Sequence, residues 1–333
     1  MHNSNSFLNA LSHFESLLLA ACLLVGSSAC GEPRGGHLIS VVSYQRRVVA
    51  DDGFALRVFD IHLEGHPRTE TPRAWMFYLV GSEPVSLDGT MEQFAEIIES
   101  GFVVVLLQPR GVGPDGSVDD SVFRRYETRQ RRVADQIAVL SAYLDGALEL
   151  PVLLVGSSEG GVVAADVAVH DSRVTHLLMM ASGGGWTQAE ELEWELNHGR
   201  RVPEASNIEE LHAKFAEIQS DPNGDTMWFG HPFRMWSSYL WFRSMDGLTT
   251  SSIPIFLAQG SEDQAIAGSA RAMRDGFDRL GLTNLTYVEY PGLDHHFNDA
   301  AGESGLAALQ RDASAWMEAT GLIAGGTQPR AGL

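Results

Sequence analysis

Apolar and polar positions along this chain repeat with two periods that take turns from about residue 40 onward. Residues 45–50 and 54–62 read as two strands joined at the Asp51-Asp52-Gly53 turn. Residues 74–80 (AWMFYLV) are apolar throughout and end at Gly81, the form of a strand buried on both faces. Helical spacing over 91–100 stops at Gly101, and a second buried strand follows at 102–107 (FVVVLL). After a loop rich in Gly and Pro, a long helix is predicted over 122–146. Its Arg124, Arg125, Arg129, Arg131 and Arg132 read as a solvated face. Strand 151–155, helix 159–170 and strand 174–180 keep the alternation. Strand 253–258, helix 265–280, strand 285–290 and helix 304–319 close it. Strands alternating with helices of this length predict an α/β fold with a mostly parallel central sheet and helices on both faces.

The rhythm breaks over 184–250. That stretch holds five of the seven tryptophans (Trp186, Trp194, Trp228, Trp236, Trp241) and acidic helical segments near 188–198 and 207–219. It reads as a helical cap inserted over one end of the sheet, with at least half of those indoles forming the insertion's own core. One α/β domain then occupies 41–183 and 251–322, with 184–250 as the cap and 323–333 as a tail.

The N-terminal segment follows a different pattern. Residues 16–25 (SLLLAACLLV) form an apolar run of signal-peptide length, too short to span a bilayer. Gly26, Ser27, Ser28 and Ala29 follow, and then Cys30. This resembles a bacterial lipoprotein signal, which implies cleavage after residue 29, lipid attachment at Cys30 and an exported protein. An ordinary signal peptide cut near Ala29 is the alternative. Residues 31–36 (GEPRGG) read as part of a flexible tether over 30–40.

Composition excludes more than it adds. With 44% hydrophobic and 20% charged residues, the chain can bury a large core. A formal net charge of -20 argues against a nucleic-acid partner, since phosphate backbones repel it. The two cysteines, Cys22 and Cys30, both precede the α/β pattern, so neither a disulfide framework nor a Cys-rich metal site serves the body.

The chemistry-bearing segment is Gly156-Ser157-Ser158-Glu159-Gly160-Gly161, directly after a buried strand and directly before a helix. That is the setting of a G-x-S-x-G nucleophile elbow, with Ser158 at its central position. Small neighbours permit a strained turn there, and the hydroxyl projects near the positive end of the following helix. A serine needs a base, and the base needs an orienting acid. Asp263 follows strand 253–258 and His295 follows strand 285–290, in the chain order Ser, Asp, His. All three belong to the carboxyl edge of the sheet, where open α/β sheets bind ligands.

These residues together resemble the α/β-hydrolase superfamily over about residues 45–320. The resemblance selects Asp263 over Glu262 and, through Asp294-His295-His296-Phe297, His295 over His296. Arg110-Gly111-Val112-Gly113 is similar to the superfamily's Arg-Gly-x-Gly loop, although Gln108 stands where an aspartate is usual. It implies an oxyanion hole made by the backbone N–H of Glu159 and a second N–H after strand 74–80. Ser82 is the choice for that donor, with Glu83 as the alternative.

Other signals carry less. Gly111-Val112-Gly113-Pro114-Asp115-Gly116 matches a dinucleotide fingerprint, but Pro114 removes a donor and Asp115 would repel a pyrophosphate. His62 and His66 have the i, i+4 spacing of two ligands on one helical turn, but their flanks are strand-like, which argues against a helix-type metal pair. No cofactor and no metal are expected. The function expected is a serine hydrolase acting on the carboxylic ester of a small, partly apolar acyl substrate. A thioesterase or small-peptide hydrolase of the same fold, and a non-catalytic binding protein displayed at a membrane surface, are the alternatives.

Overall fold

The computed structural model describes residues 41–63, 72–88, 91–147 and 149–323. The leader, the tether with Cys30, His66 and residues 324–333 of the tail lie outside the described residues. In chain order the strands are β1 (Val41–Val49), β2 (Ala55–Leu63), β3 (Ala74–Leu79), β4 (Phe102–Leu107), β5 (Val152–Ser157), β6 (His176–Met180), the two-residue pair β7 (Met227–Trp228) and β8 (His231–Pro232), β9 (Ile255–Gly260) and β10 (Leu285–Tyr290). Eight of them form one sheet in the order β1-β2-β4-β3-β5-β6-β9-β10. β1 and β2 pair antiparallel, as do β2 and β4, and every later pairing in that sheet is parallel.

β3 shows why a continuous apolar run makes a central strand. All six of its residues are buried, with Trp75 and Phe77 in one core and Met76 and Tyr78 in the other. A strand presents alternate residues to opposite faces, so both faces must be covered by apolar partners. On the Phe77 side lie α3 (Arg129–Leu144) and α4 (Glu159–His170), through Leu140, Tyr143 and Val163, together with α9 (Gln264–Arg279). On the Met76 side lie α1 (Ala95–Glu99) and α10 (Leu306–Ala319), through Ile97, Ile98, Leu309 and Trp316. β1 begins four residues earlier than its apolar pattern suggests. It is an edge strand with mostly exposed side chains, held by its ladder to β2 from Val41 opposite Leu63 to Val49 opposite Ala55.

The single helix expected over 122–146 is two helices, α2 (Asp120–Tyr126) and α3. Thr128 breaks the run by taking an extended backbone, and its side chain caps α3 by accepting the N–H of Arg131 at 3.3 Å. Glu127 beside it turns inward to His231 Nδ1 at 2.5 Å. The solvated-face reading of the arginines is also corrected. Of the five only Arg125 is exposed. Arg129 pairs with Asp166, Arg131 with Asp51 and Asp135, and Arg132 with Glu159. The segment 91–100 is a 3₁₀ turn (Met91–Phe94) running into α1, and Gly101 ends it at φ 101°.

Arg110 is buried and forks onto two carboxylates, Asp135 through Nε and Nη2 and Asp52 through Nη1 and Nη2. Gly111 must be glycine, because at φ 84° a Cβ would meet the Asp119 carbonyl at 2.7 Å. Gln108 holds the neighbouring loop, accepting the Leu87 N–H at 2.9 Å and donating to the Val85 carbonyl at 2.6 Å.

Between β6 and β9, which are adjacent in the sheet, the chain builds α5 (Gln188–Asn197), α6 (Ile208–Ser220), the β7–β8 pair, α7 (Phe233–Tyr239) and α8 (Ser244–Leu248). Thr187 and Glu190 close a reciprocal capping box at the start of α5. Trp228 and Trp236 are buried with ring centroids 4.7 Å apart, Trp186 and Trp194 are half-buried, and Trp241 is exposed.

Candidate active site

Ser158 stands between β5 and α4 with φ 53° and ψ −127°, a left-handed backbone that costs a non-glycine residue energy. Its neighbours show how the turn is accommodated. A Cβ on Gly156 would lie 2.3 Å from the Gly160 carbonyl oxygen, and one on Gly160 would lie 2.2 Å from that of Leu79. Real Cβ atoms do not approach carbonyls so closely, so glycine is required where the turn folds back against its own helix and against β3. Ser157 is buried inside β5 and takes no part in the turn.

His295 lies in the loop after β10, and its Nε2 is 3.1 Å from Ser158 Oγ. Its Nδ1 is 2.8 Å from Asp263 Oδ2, in the turn that leads from β9 into α9. The loop that carries the imidazole is itself pinned. Asp294 Oδ1 accepts the N–H of His296 and of Asn298, each at 2.9 Å, and Phe297 is wholly buried at φ 58°. The same Asp263 oxygen accepts from Gln259 Nε2 at 2.6 Å. Burial works against the imidazolium of His295, but the hydrogen bond and charge of Asp263 outweigh it, and the imidazole pKa is raised above its ordinary value. His296 stands with its ring at 86° to that of His295, and it is His295 that meets Ser158.

A cleft of about 270 Å³ opens above these groups. Ser158 and His295 form its floor, with Ser82 and Glu159 beside them. The backbone at Gly81 runs close to the serine, since a Cβ there would sit 3.6 Å from Ser158 Cβ. The opposite wall comes from the insertion, with Trp186, Phe229, Trp236, Tyr239 and Phe242. Tyr239 OH donates to Glu159 Oε1 at 2.6 Å, and Arg132 bonds both that oxygen and the Val80 carbonyl. His62, one of the histidines considered for metal spacing, bonds Asp60 at 2.9 Å instead. Among the described residues no group of three or more His, Cys, Asp or Glu could hold a metal ion.

The fold of the chain has counterparts among solved structures. A lipase in its open form aligns at a TM-score of 0.58 and 19% identity, over 84% of this chain and 99% of that one. Est1E from Butyrivibrio proteoclasticus, a structure with ferulic acid bound, aligns at 0.57 and 16%, over 83% and 98%. A puromycin hydrolase aligns at 0.60 and 17%, over 89% of this chain but only 42% of the other. The chain has the α/β-hydrolase fold. No protein-family model and no curated protein matches the sequence.

Within the α/β-hydrolase fold, Ser158, Asp263 and His295 follow β5, β9 and β10 respectively, and the structure brings those three side chains together. Gln259, Arg132, Tyr239 and Glu191 escape sequence reasoning. Gln259 lies at the end of a legible strand and could be suspected from its spacing to Asp263. The other three carry no local signal.

Proposed function

We propose that this chain is a serine hydrolase that cleaves the carboxylic ester of a small, partly apolar molecule through an acyl-enzyme on Ser158. The observation that carries the reading is the hydrogen-bonded chain from Asp263 through His295 to Ser158, at 2.8 and 3.1 Å. In this mechanism His295 Nε2 takes the hydroxyl proton as Ser158 Oγ attacks the acyl carbonyl. Asp263 holds the tautomer that leaves Nε2 free to accept, and stabilises the imidazolium that forms. The backbone N–H groups of Glu159 and Ser82 receive the oxyanion, each worth roughly 3 kcal/mol in the transition state. His295 then protonates the departing alcohol, and afterwards activates the water that releases the acid and restores Ser158. The aromatic wall of the cleft favours an apolar group next to the ester. Export with lipid attachment at Cys30 belongs to the same proposal and rests on the N-terminal sequence alone.

A fluorophosphonate probe tests the central claim. It labels the wild-type protein and leaves Ser158→Ala unlabelled; a wild type that stays unlabelled overturns the reading. p-Nitrophenyl esters of increasing chain length, set against matched thioesters and peptides, then test ester preference. Faster turnover of either competitor moves the assignment to that class. Mass spectrometry of the mature N-terminus checks Cys30: an unmodified chain beginning elsewhere removes the anchor.

A further inference from the structure

α5 carries four glutamates, and three of them have basic partners, two arginines and a histidine. Glu190 binds Arg243 at 2.7 Å, Glu193 binds His212 at 2.8 Å and Glu195 binds Arg200 at 3.3 Å. The fourth, Glu191, turns into the cleft over Ser158 and forms no ion pair with any described residue. Its carboxyl takes a hydrogen bond from Ser269, whose own oxygen already accepts the N–H groups of Gly184 and Trp186 at 3.0 Å each. No lysine or arginine lines the cleft, and five aromatic side chains do. Glu159, which lines the same cleft and is ion-paired with Arg132 through Oε1, has a side chain only 8% exposed and leaves Oε2 without a hydrogen-bond partner. A carboxyl in an aromatic chamber without a counter-ion is costly when charged, and an incoming cation removes that cost. Aromatic faces attract the same cation, and the chain's net charge of -20 draws it in.

We propose that the cleft receives a substrate bearing an alkylammonium group, with the Glu191 carboxylate as counter-ion and the aromatic wall against the substrate's apolar part. Turnover of that substrate rests on the hydrolase reading above; the cation site itself does not. Glu191 is faced by Asp263 and Ser269, by Glu190 and Glu195 of its own helix, and by His295. Burial first, and then the three carboxylates, push its pKa up to about 8. At pH 7 the empty cleft is therefore mainly neutral at this position. Binding an ammonium ion ionises the carboxyl, which gives up a proton to solvent while the ligand keeps its own charge.

Calorimetry on Ser158→Ala protein with 2-phenylethylammonium and with 2-phenylethanol tests this without any turnover. The ammonium binds at least tenfold more tightly, about 1.4 kcal/mol. At pH 7 it releases close to one proton, read from the heat in buffers of different ionisation enthalpy. Adding Glu191→Gln removes the excess affinity and the proton release. Equal binding of the two ligands, or an excess that survives Glu191→Gln, overturns the proposal. Should the Gln variant fail to fold, the pH dependence still decides. Affinity for the ammonium rises with pH up to about 8 and then levels, and a flat profile overturns the proposal. Loss of fluorophosphonate labelling would sink the enzyme reading and leave this binding result standing.

Discussion

Arg132 and Glu159 form an ion pair directly behind the nucleophile turn. The same guanidinium bonds the Val80 carbonyl, so one side chain from α3 ties the first residue of α4 to the loop after β3. Those two segments carry the two backbone donors proposed for the oxyanion. Tyr239 joins the pair from the insertion, which links the wall of the cleft to its floor.

Replacing Arg132 with Met therefore removes a positioning group and strands a buried carboxylate. Removing one partner of a buried pair costs roughly 3 kcal/mol or more. Urea unfolding should show that loss, and kcat should fall more than KM rises. Arg132→Lys keeps the charge without the planar fork and should lie between the two.

Backbone strain at Ser158 separates two otherwise similar variants. Ser158→Ala and Ser158→Gly both remove the hydroxyl, and both should abolish probe labelling. Only glycine tolerates φ 53° without penalty. Thermal melts should place Ser158→Gly above Ser158→Ala by about 1 kcal/mol in stability, the lower end of the cost of such a backbone.

Asp263 raises the pKa of His295 against the opposing effect of burial. The base works only when neutral, so kcat/KM in the wild type declines as pH falls through a value above 6.5. Asp263→Asn removes the principal raising influence and leaves burial, so the acid limb should move to lower pH. The lost orientation should lower kcat on the order of a thousandfold or more. An acid limb that stays in place would assign that titration to another group.

Gly160 tests how tightly the elbow is packed. A methyl there would meet the Leu79 carbonyl at 2.2 Å and the Val80 carbonyl at 2.5 Å. Neither atom is the movable end of a side chain, so Gly160→Ala must displace β3 or α4. We expect a loss of roughly 2 kcal/mol, within the range of other overpacking changes, with a matching fall in Tm and in labelling rate.

What could be read from the sequence follows the range of the forces involved. β3 and β4 declare themselves because burial on both faces demands an unbroken apolar run. The three candidate site residues are legible because each comes just after its own strand. The division between α2 and α3 is less visible, since apolar spacing continues past it through Phe123 and Val133. Thr128 makes the break by capping α3, and Glu127 beside it turns to His231, 104 residues away. The arginine run hides its pairing for the same reason. Arg132 meets Glu159 27 residues on, Arg129 meets Asp166 37 residues on, and Arg131 meets Asp51 80 residues back. Glu191 is one of four similar residues in an acidic helix, and only its tertiary surroundings set it apart.

β9 has a consequence for how this centre comes into being. It pairs with β6 on one side and β10 on the other, so it links the segment holding Ser158 to the loop holding His295, 137 residues further along. All of residues 181–254 must be gathered in before that pairing can close. Loop-closure entropy grows slowly with length, but such distant pairings form late and slow the folding rate. A chain caught part-way through synthesis or refolding thus carries its serine hydroxyl without a base, and the hydroxyl gains its partner only when the most distant strand pairing is made.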